Sequence, residues 1–299
     1  MTGASPVLDE AYERMASSGF ELPNGFVNHR PMACEALTAL GCDDEVDGWA
    51  RRFARVPGLA LDPVVAGPFA WRDAFGDYRR LPEWIGHFQL EIADHGWPRV
   101  VEVWVPRLLP GLAAALFHGA IRTAHAVRAI DAPDAAARRR ELARSLGYWA
   151  ARFRPGQATA EPAQIHDLRP ALATAAADGA RRYLTRPSIH SLHGVTGAMA
   201  IDLLADHIAP SAGAAGLAQV RAEHAALYHG TDPAADIRVI GVPDTELARA
   251  AAASRDPHQV KLVEACRRGA ASTGDPVFAA AAETVTGLHR SDQVERTAR

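Results

Sequence analysis

The chain has 299 residues, 48% of them hydrophobic and 22% charged, with a formal net charge of −3. That balance allows a large core and excludes a disordered chain; with arginines scattered among acids there is no basic stripe for a phosphate backbone, so nucleic acid is not an expected partner. The longest apolar run, around Leu108 to Ile121, is broken by Pro110 and His118 and is too short to span a bilayer.

Asp9, Glu10 and Glu13 near the start, with no apolar stretch beside them, argue against a secretory signal. Cys34, Cys42 and Cys266 are odd in number and lack C-x-x-C spacing, which suits reduced thiols and a cytoplasmic location.

Alanine and leucine dominate, β-branched runs are rare, and apolar positions recur at three and four residues, so the expected fold is an all-α multi-helix bundle. Residues 1 to 18 read as a short amphipathic helix and Pro23-Asn24-Gly25 as a turn. Pro31 opens a helix that runs to Leu40 and stops at Gly41. A helix over Glu45–Val56 follows, then an irregular stretch, 59 to 80, whose Trp71 and Tyr78 either wall a pocket or plug the core. Residues 82 to 130 supply two or three helices, the clearest from Gly111 to Ile130 behind Pro110; Val101 to Val105 alternates like a strand but has helical flanks and is assigned to helix. Ala135 to Phe153 is a further helix, with Asp134 placed to cap it. The segment 154 to 163 is a linker by composition, dividing one helical domain over 1–299 into possible halves 1–155 and 163–290 around a central site. Helices resume at 168–183, 187–208, 213–229, 244–253 and 256–269, and the polar tail, 291–299, is expected to fray.

Thirteen histidines exceed ordinary usage, and imidazole is the commonest protein ligand for Zn, Fe, Cu and Ni. His118 and His125 fall on one face of the expected 111–130 helix with Arg122 between them, a costly arrangement unless a site satisfies it; Arg122 and His125 are accordingly candidate catalytic groups. His190 and His193 begin an apolar, glycine-bearing helix, and His193 shares a face with Thr196, Gly197 and Ala200, which favours it over His190. His29 precedes the proline-opened helix. His258 and Lys261 stand one turn apart on an apolar side. Lys261 is the single lysine among 32 basic residues. A buried lysine amine loses its proton and can act as a base, form a Schiff base or capture carbon dioxide as a carbamate, which a guanidinium cannot do. His166-Asp167 raises a second possibility, a metal phosphohydrolase of the HD class; a non-catalytic helical binder of an aromatic metabolite is a third.

Taken in order, Asn28-His29-Arg30-Pro31-Met32 with Glu35-Ala36-Leu37 and Leu40-Gly41, Pro106 to Gly111 through Phe117-His118-Gly119-Ala120-Ile121-Arg122, the box His193-Gly194-Val195-Thr196, and Asp256-Pro257-His258-Gln259-Val260-Lys261 resemble the questin oxidase-like family. The resemblance implies an α-helical oxygenase that oxidises or cleaves an anthraquinone-type polyketide. It nominates His29, His118, His193 and His258 as ligands of non-heme iron, with carboxylated Lys261. A nitrogen and oxygen ligand set suits Fe(II), with Zn or Mn as competitors, and O2 is then the cosubstrate. No G-x-G-x-x-G follows a strand and no P-loop is present, so a flavin site is not evident and a separate reductase is a possible electron source. Trp71, Tyr78, Trp84, Trp104 and Phe117 are candidates to stack on an aromatic substrate.

Overall fold

Capping residues mark out the helices more sharply than propensity does. Pro31 sits in the first turn of its helix and Gly41 closes it at φ 79°. The Ser188 hydroxyl accepts from Ser191 N at 3.1 Å, and the Asp256 carboxylate accepts from His258 N at 2.9 Å, each satisfying an orphan donor of a helix start. The computed structural model describes residues 6–22, 24–52, 63–64, 69–131, 135–157, 165–228 and 237–288. Among them run fourteen helices: α1 (Pro6–Met15), α2 (Arg30–Leu40), α3 (Asp43–Arg52), α4 (Trp71–Ala74), α5 (Leu81–His95), α6 (Trp97–Leu108), α7 (His118–Asp131), α8 (Ala136–Ala151), α9 (Leu168–Thr185), α10 (Ile189–Leu204), α11 (Pro210–Tyr228), α12 (Asp244–Ser254), α13 (Pro257–Thr273) and α14 (Val277–Thr286). No strand occurs among the described residues, only an isolated bridge between Glu21 and Val27. The fold is an all-α multi-helix bundle.

Two expectations change. The helix assigned to Gly111–Ile130 does not start at Gly111: Leu109–Gly111 is a 3-10 turn, and Ala115, Leu116 and Phe117 then adopt left-handed φ values of 48°, 55° and 64° before α7 begins at His118. His118 is therefore a helix-start residue, not a mid-helix one. Helix α14 was not expected at all; its Glu283 is fully buried and accepts from Ile240 N, Gly241 N and Val242 N at 2.8–3.0 Å, which pins the extended chain ahead of α12. Pro23, 53–56 of the second expected helix, most of 59–70, Asp134, 158–163, His229, His289 and the tail lie outside the described residues.

Four helices form a closed ring: α2 packs on α7 and α13, and α10 packs on the same two. Two of the four come from before the 154–163 segment and two from after it. A chain of buried ion pairs ties the ring together. Glu35 of α2 accepts from Arg128 of α7 at 2.7 Å, Arg128 also pairs with Glu264 of α13, and Arg268 of α13 joins Glu264 at 2.7 Å to Asp202 of α10 at 2.8 Å. The carboxylates of this chain are buried and the two arginines partly so, and a buried carboxylate left without its arginine would keep its desolvation cost. Apart from the ring, Trp84, Phe88 and Trp104 form a buried aromatic block on α5 and α6.

Candidate metal centre

Each helix of the ring delivers a histidine from its N-terminal end. His29 is the N-cap of α2, His118 opens α7, His193 lies in the second turn of α10, and His258 is the second residue of α13. His29, His118 and His193 are buried, and one ligand nitrogen from each lies within 4.8 Å of the other two. The His118 Nε2 stands 2.6 Å from His29 Nε2 and 3.0 Å from His193 Nε2. His258 completes the group, its ring centre 4.4 Å from that of His29 and 5.4 Å from that of His193.

Outer partners fix which nitrogen faces inward. His118 Nδ1 donates to Ala115 O at 2.5 Å, His193 Nδ1 donates to Ile189 O at 2.7 Å, and His258 Nδ1 donates to Asp256 Oδ1 at 3.0 Å. With the outer nitrogen holding the proton, a neutral ring presents a bare Nε2 lone pair, as metal-bound histidines do. Two such lone pairs 3.0 Å apart, on His118 and His193, repel unless a cation lies between them. Two nitrogens bound cis to one metal at about 2.1 Å stand roughly 3.0 Å apart, which the His118–His193 spacing matches, while His29 and His118 at 2.6 Å stand closer than that. His258 Nε2 is buried with no hydrogen-bond partner.

Lys261 follows one turn after His258 and is wholly buried, its Nζ without a hydrogen-bond partner. Burial lowers its pKa to about 7. After burial itself, the charge of Lys261 is the largest influence holding His29 and His193 well below their usual values and bringing His118 to about 3. Converging helix starts add positive potential, which further disfavours an imidazolium or ammonium and favours an anion among the ligands.

Three consecutive left-handed residues aim His118. L-residues lose roughly 1–2 kcal/mol each in that conformation, so the turn survives only because packing enforces it. Phe117 is fully buried against Gly197 of α10, where an added Cβ would lie 2.6 Å from the Phe117 ring. The same turn offers Ala115 O to the His118 ring. A cavity of about 530 Å³ opens beside His29 and His118, walled by Phe26, Leu116, Tyr148, Arg152 and Arg154 among others. A second space of about 280 Å³ is lined by His29 and His258 together with Phe26 and Val27.

The structure brings together His29, His118, His193 and His258, with Lys261 buried one helical turn after His258, and places the other candidates elsewhere. His190 is exposed while His193 is fully buried. Arg122 forms a two-point ion pair with Glu141 of α8 at 2.6 and 3.0 Å. His125 Nδ1 lies 2.5 Å from Glu35 Oε2, within the ion-pair chain. Neither has a hydrogen bond or ring contact to the cluster among the described residues, so both read as helix ties and not as groups at the centre. His166 and Asp167 are exposed at the start of α9, outside the metal-capable group. Of the aromatics nominated for stacking, Trp84, Trp104 and Phe117 are core; the ring side chains on the larger cavity are Phe26 and Tyr148. Sequence reasoning missed Asp256, whose one carboxylate both caps α13 and orients His258; the signal was the Asp-Pro-His order of a capped helix start.

Fold and site together define an all-α protein with a buried histidine cluster able to hold a metal ion, and no helix among the described residues is long and apolar enough to cross a membrane. Comparison with protein-family models and with curated proteins finds no match to this chain.

Proposed function

We propose that the protein is a non-heme iron oxygenase that oxidises or cleaves a polycyclic aromatic polyketide of the anthraquinone type. The observation that carries the metal reading is the clustering of four imidazoles, three with outer nitrogens committed to oxygen partners, together with a wholly buried, orphaned lysine amine one helical turn from His258. His29, His118, His193 and His258 would hold the ion, with Lys261 as a carbamate. Lys261 suits that role because its free amine can add to carbon dioxide, forming an N–C bond and releasing one proton, so that a cationic side chain becomes an anionic oxygen ligand. The converging helix starts stabilise that anion, and it offsets charge that neutral imidazoles cannot. Bound there, iron(II) would supply the activation of dioxygen that ring oxidation requires.

The chain's own residues do the rest. Asp256, Ile189 O and Ala115 O hold the outer ring protons and fix the tautomers. The cavity beside His29 and His118 admits a ring system, and Phe26 offers it an aromatic face. The aromatic-polyketide assignment rests on the family resemblance, and the size of the cavity is compatible with it. Electrons come from a reduced substrate or a separate reductase.

Metal analysis after anaerobic purification tests the reading. Wild-type protein is expected to retain close to one iron per chain, with Lys261→Arg and His193→Ala retaining at least tenfold less, and with O2 uptake on hydroquinone substrates lost in step. Full metal retention in both variants would reject these ligands. Phosphate-ester hydrolysis that depends on His166 and Asp167 would support the phosphohydrolase instead.

A further inference from the structure

The larger cavity is apolar except for one cluster of charge. Phe26, Val27, Leu116 and Ile189 supply its apolar wall, and Phe26 is 53% exposed, unusual for an aromatic side chain in a chain that buries Trp84, Trp104 and Trp149. Besides the imidazoles of His29 and His118, its polar members are Glu21, Tyr148, Arg152 and Arg154. Three of these satisfy one another: Arg152 Nε donates to Glu21 Oε1 at 2.7 Å, a second Arg152 nitrogen pairs with Glu21 Oε2, and the Tyr148 hydroxyl donates to Glu21 Oε1 at 3.0 Å. The charges of Glu21 and Arg152 cancel. Arg154, exposed at the rim, has no hydrogen bond or ion pair among the described residues, so it is the one charged group of the lining left free to pair with a ligand.

The backbone just after Arg154 is anchored. Gly156 N donates to Pro110 O at 2.7 Å and Gln157 N donates to Glu223 Oε1 at 2.9 Å, which ties the segment after Arg154 to the turn before α7 and to α11. A side chain at Gly156 would meet Glu223 Oε1 at 2.0 Å, so a larger residue there would have to displace the ends of the Glu223 and Gln219 side chains. The cavity end opposite in chemistry is the imidazole pair, His29 and His118, at the starts of two helices.

We infer that this cavity selects a flat, apolar monoanion, with its ring against Phe26 and Leu116 and its carboxylate or phenolate oxygens on Arg154. The inference deepens the proposed function by naming an acidic group on the substrate, and takes from that reading only that the imidazole end is the reacting end. A charge-assisted pair between a guanidinium and an acidic oxygen outweighs a neutral contact enough to discriminate an acid from its ester.

Binding of naphthoate and of its neutral methyl ester to the full-length protein, read by ligand fluorescence without turnover, tests it. The acid is expected to bind wild type about tenfold more tightly than the ester, a difference of about 1.4 kcal/mol. Arg154→Gln is expected to remove that preference while leaving ester affinity, circular dichroism and metal content unchanged, with Arg154→Lys keeping part of it. Phe26→Ala is expected to weaken acid and ester alike. Absence of acid binding, equal affinity for acid and ester in wild type, or an undiminished preference in Arg154→Gln would overturn the inference. Since no metal chemistry enters the readout, failure of iron to load leaves this test intact, and failure of acid preference leaves the metal reading intact.

Discussion

Lys261 occupies a position that stability alone would give to an apolar residue. A wholly buried amine with no hydrogen-bond partner keeps the desolvation cost of its charge, or of its proton loss, without compensation. Replacing it with methionine, of similar length and no charge, is expected to stabilise the metal-free protein by about 1–3 kcal/mol while abolishing metal retention. Thermal unfolding beside metal analysis checks both halves; a loss of stability in metal-free Lys261→Met would show that the amine serves the fold. At this scale the sequence was most legible. The lone lysine among arginines stood out by itself, while the four histidines His29, His118, His193 and His258, which the structure clusters, were nominated as a set only through the family resemblance. Arg122 and His125 misled because a buried polar face looks the same whether it serves a site or an ion-pair chain, and only Glu141 and Glu35, distant in sequence, tell the two apart.

At the scale of single elements, the left-handed turn at Ala115 to Phe117 was illegible. Nothing in Ala-Leu-Phe signals positive φ; all three residues carry a Cβ that opposes it, and the strain is offset only by contacts that folding creates. The apolar run therefore reads as an uninterrupted helix behind Pro110. Glycine at 115 relieves the clash at φ 48° without removing a ligand, so Ala115→Gly is expected to raise stability by up to about 1 kcal/mol, less what glycine gains in freedom when unfolded. Chemical denaturation of the metal-free protein measures it. A destabilisation of about 1 kcal/mol or more would mean that the left-handed turn stores no strain. The aromatic-rich stretch from Trp71 to Trp104 misled in another way, since large rings fill a core as readily as they wall a pocket.

Across the whole molecule, four parallel helix starts converge on one point while an ion-pair chain ties the same four helices together from α2 to α10. Helical content was readable from composition; the ring was not, because its members are separated by long stretches of chain and meet only through tertiary packing. This arrangement makes the metal-free protein acid-sensitive. His224, buried on Gly194 O, has its pKa lowered to about 4, and His29, His118 and His193 are shifted the same way. Between pH 6.5 and about 4 the unfolded chain binds protons that the folded chain refuses, so stability falls as pH falls; for His224 alone the full loss is on the order of 3 kcal/mol. Glu35 and Glu264, whose pKa values are held down by Arg128, act in the same direction: their contribution is present above the ordinary carboxylate value and is lost as pH drops below it. Denaturation midpoints from pH 7 to pH 4 are expected to fall continuously, and a flat profile across that window would contradict the neutral-imidazole cluster.

Anomalous X-ray diffraction at the iron edge, from anaerobically grown crystals, tests the central claim most directly. The expected result is a peak bounded by His29, His118, His193 and His258, with carboxylate density continuing from Lys261 Nζ toward it. A bare Lys261 amine among rings that hold no metal, or a metal bound elsewhere in the chain, would contradict it.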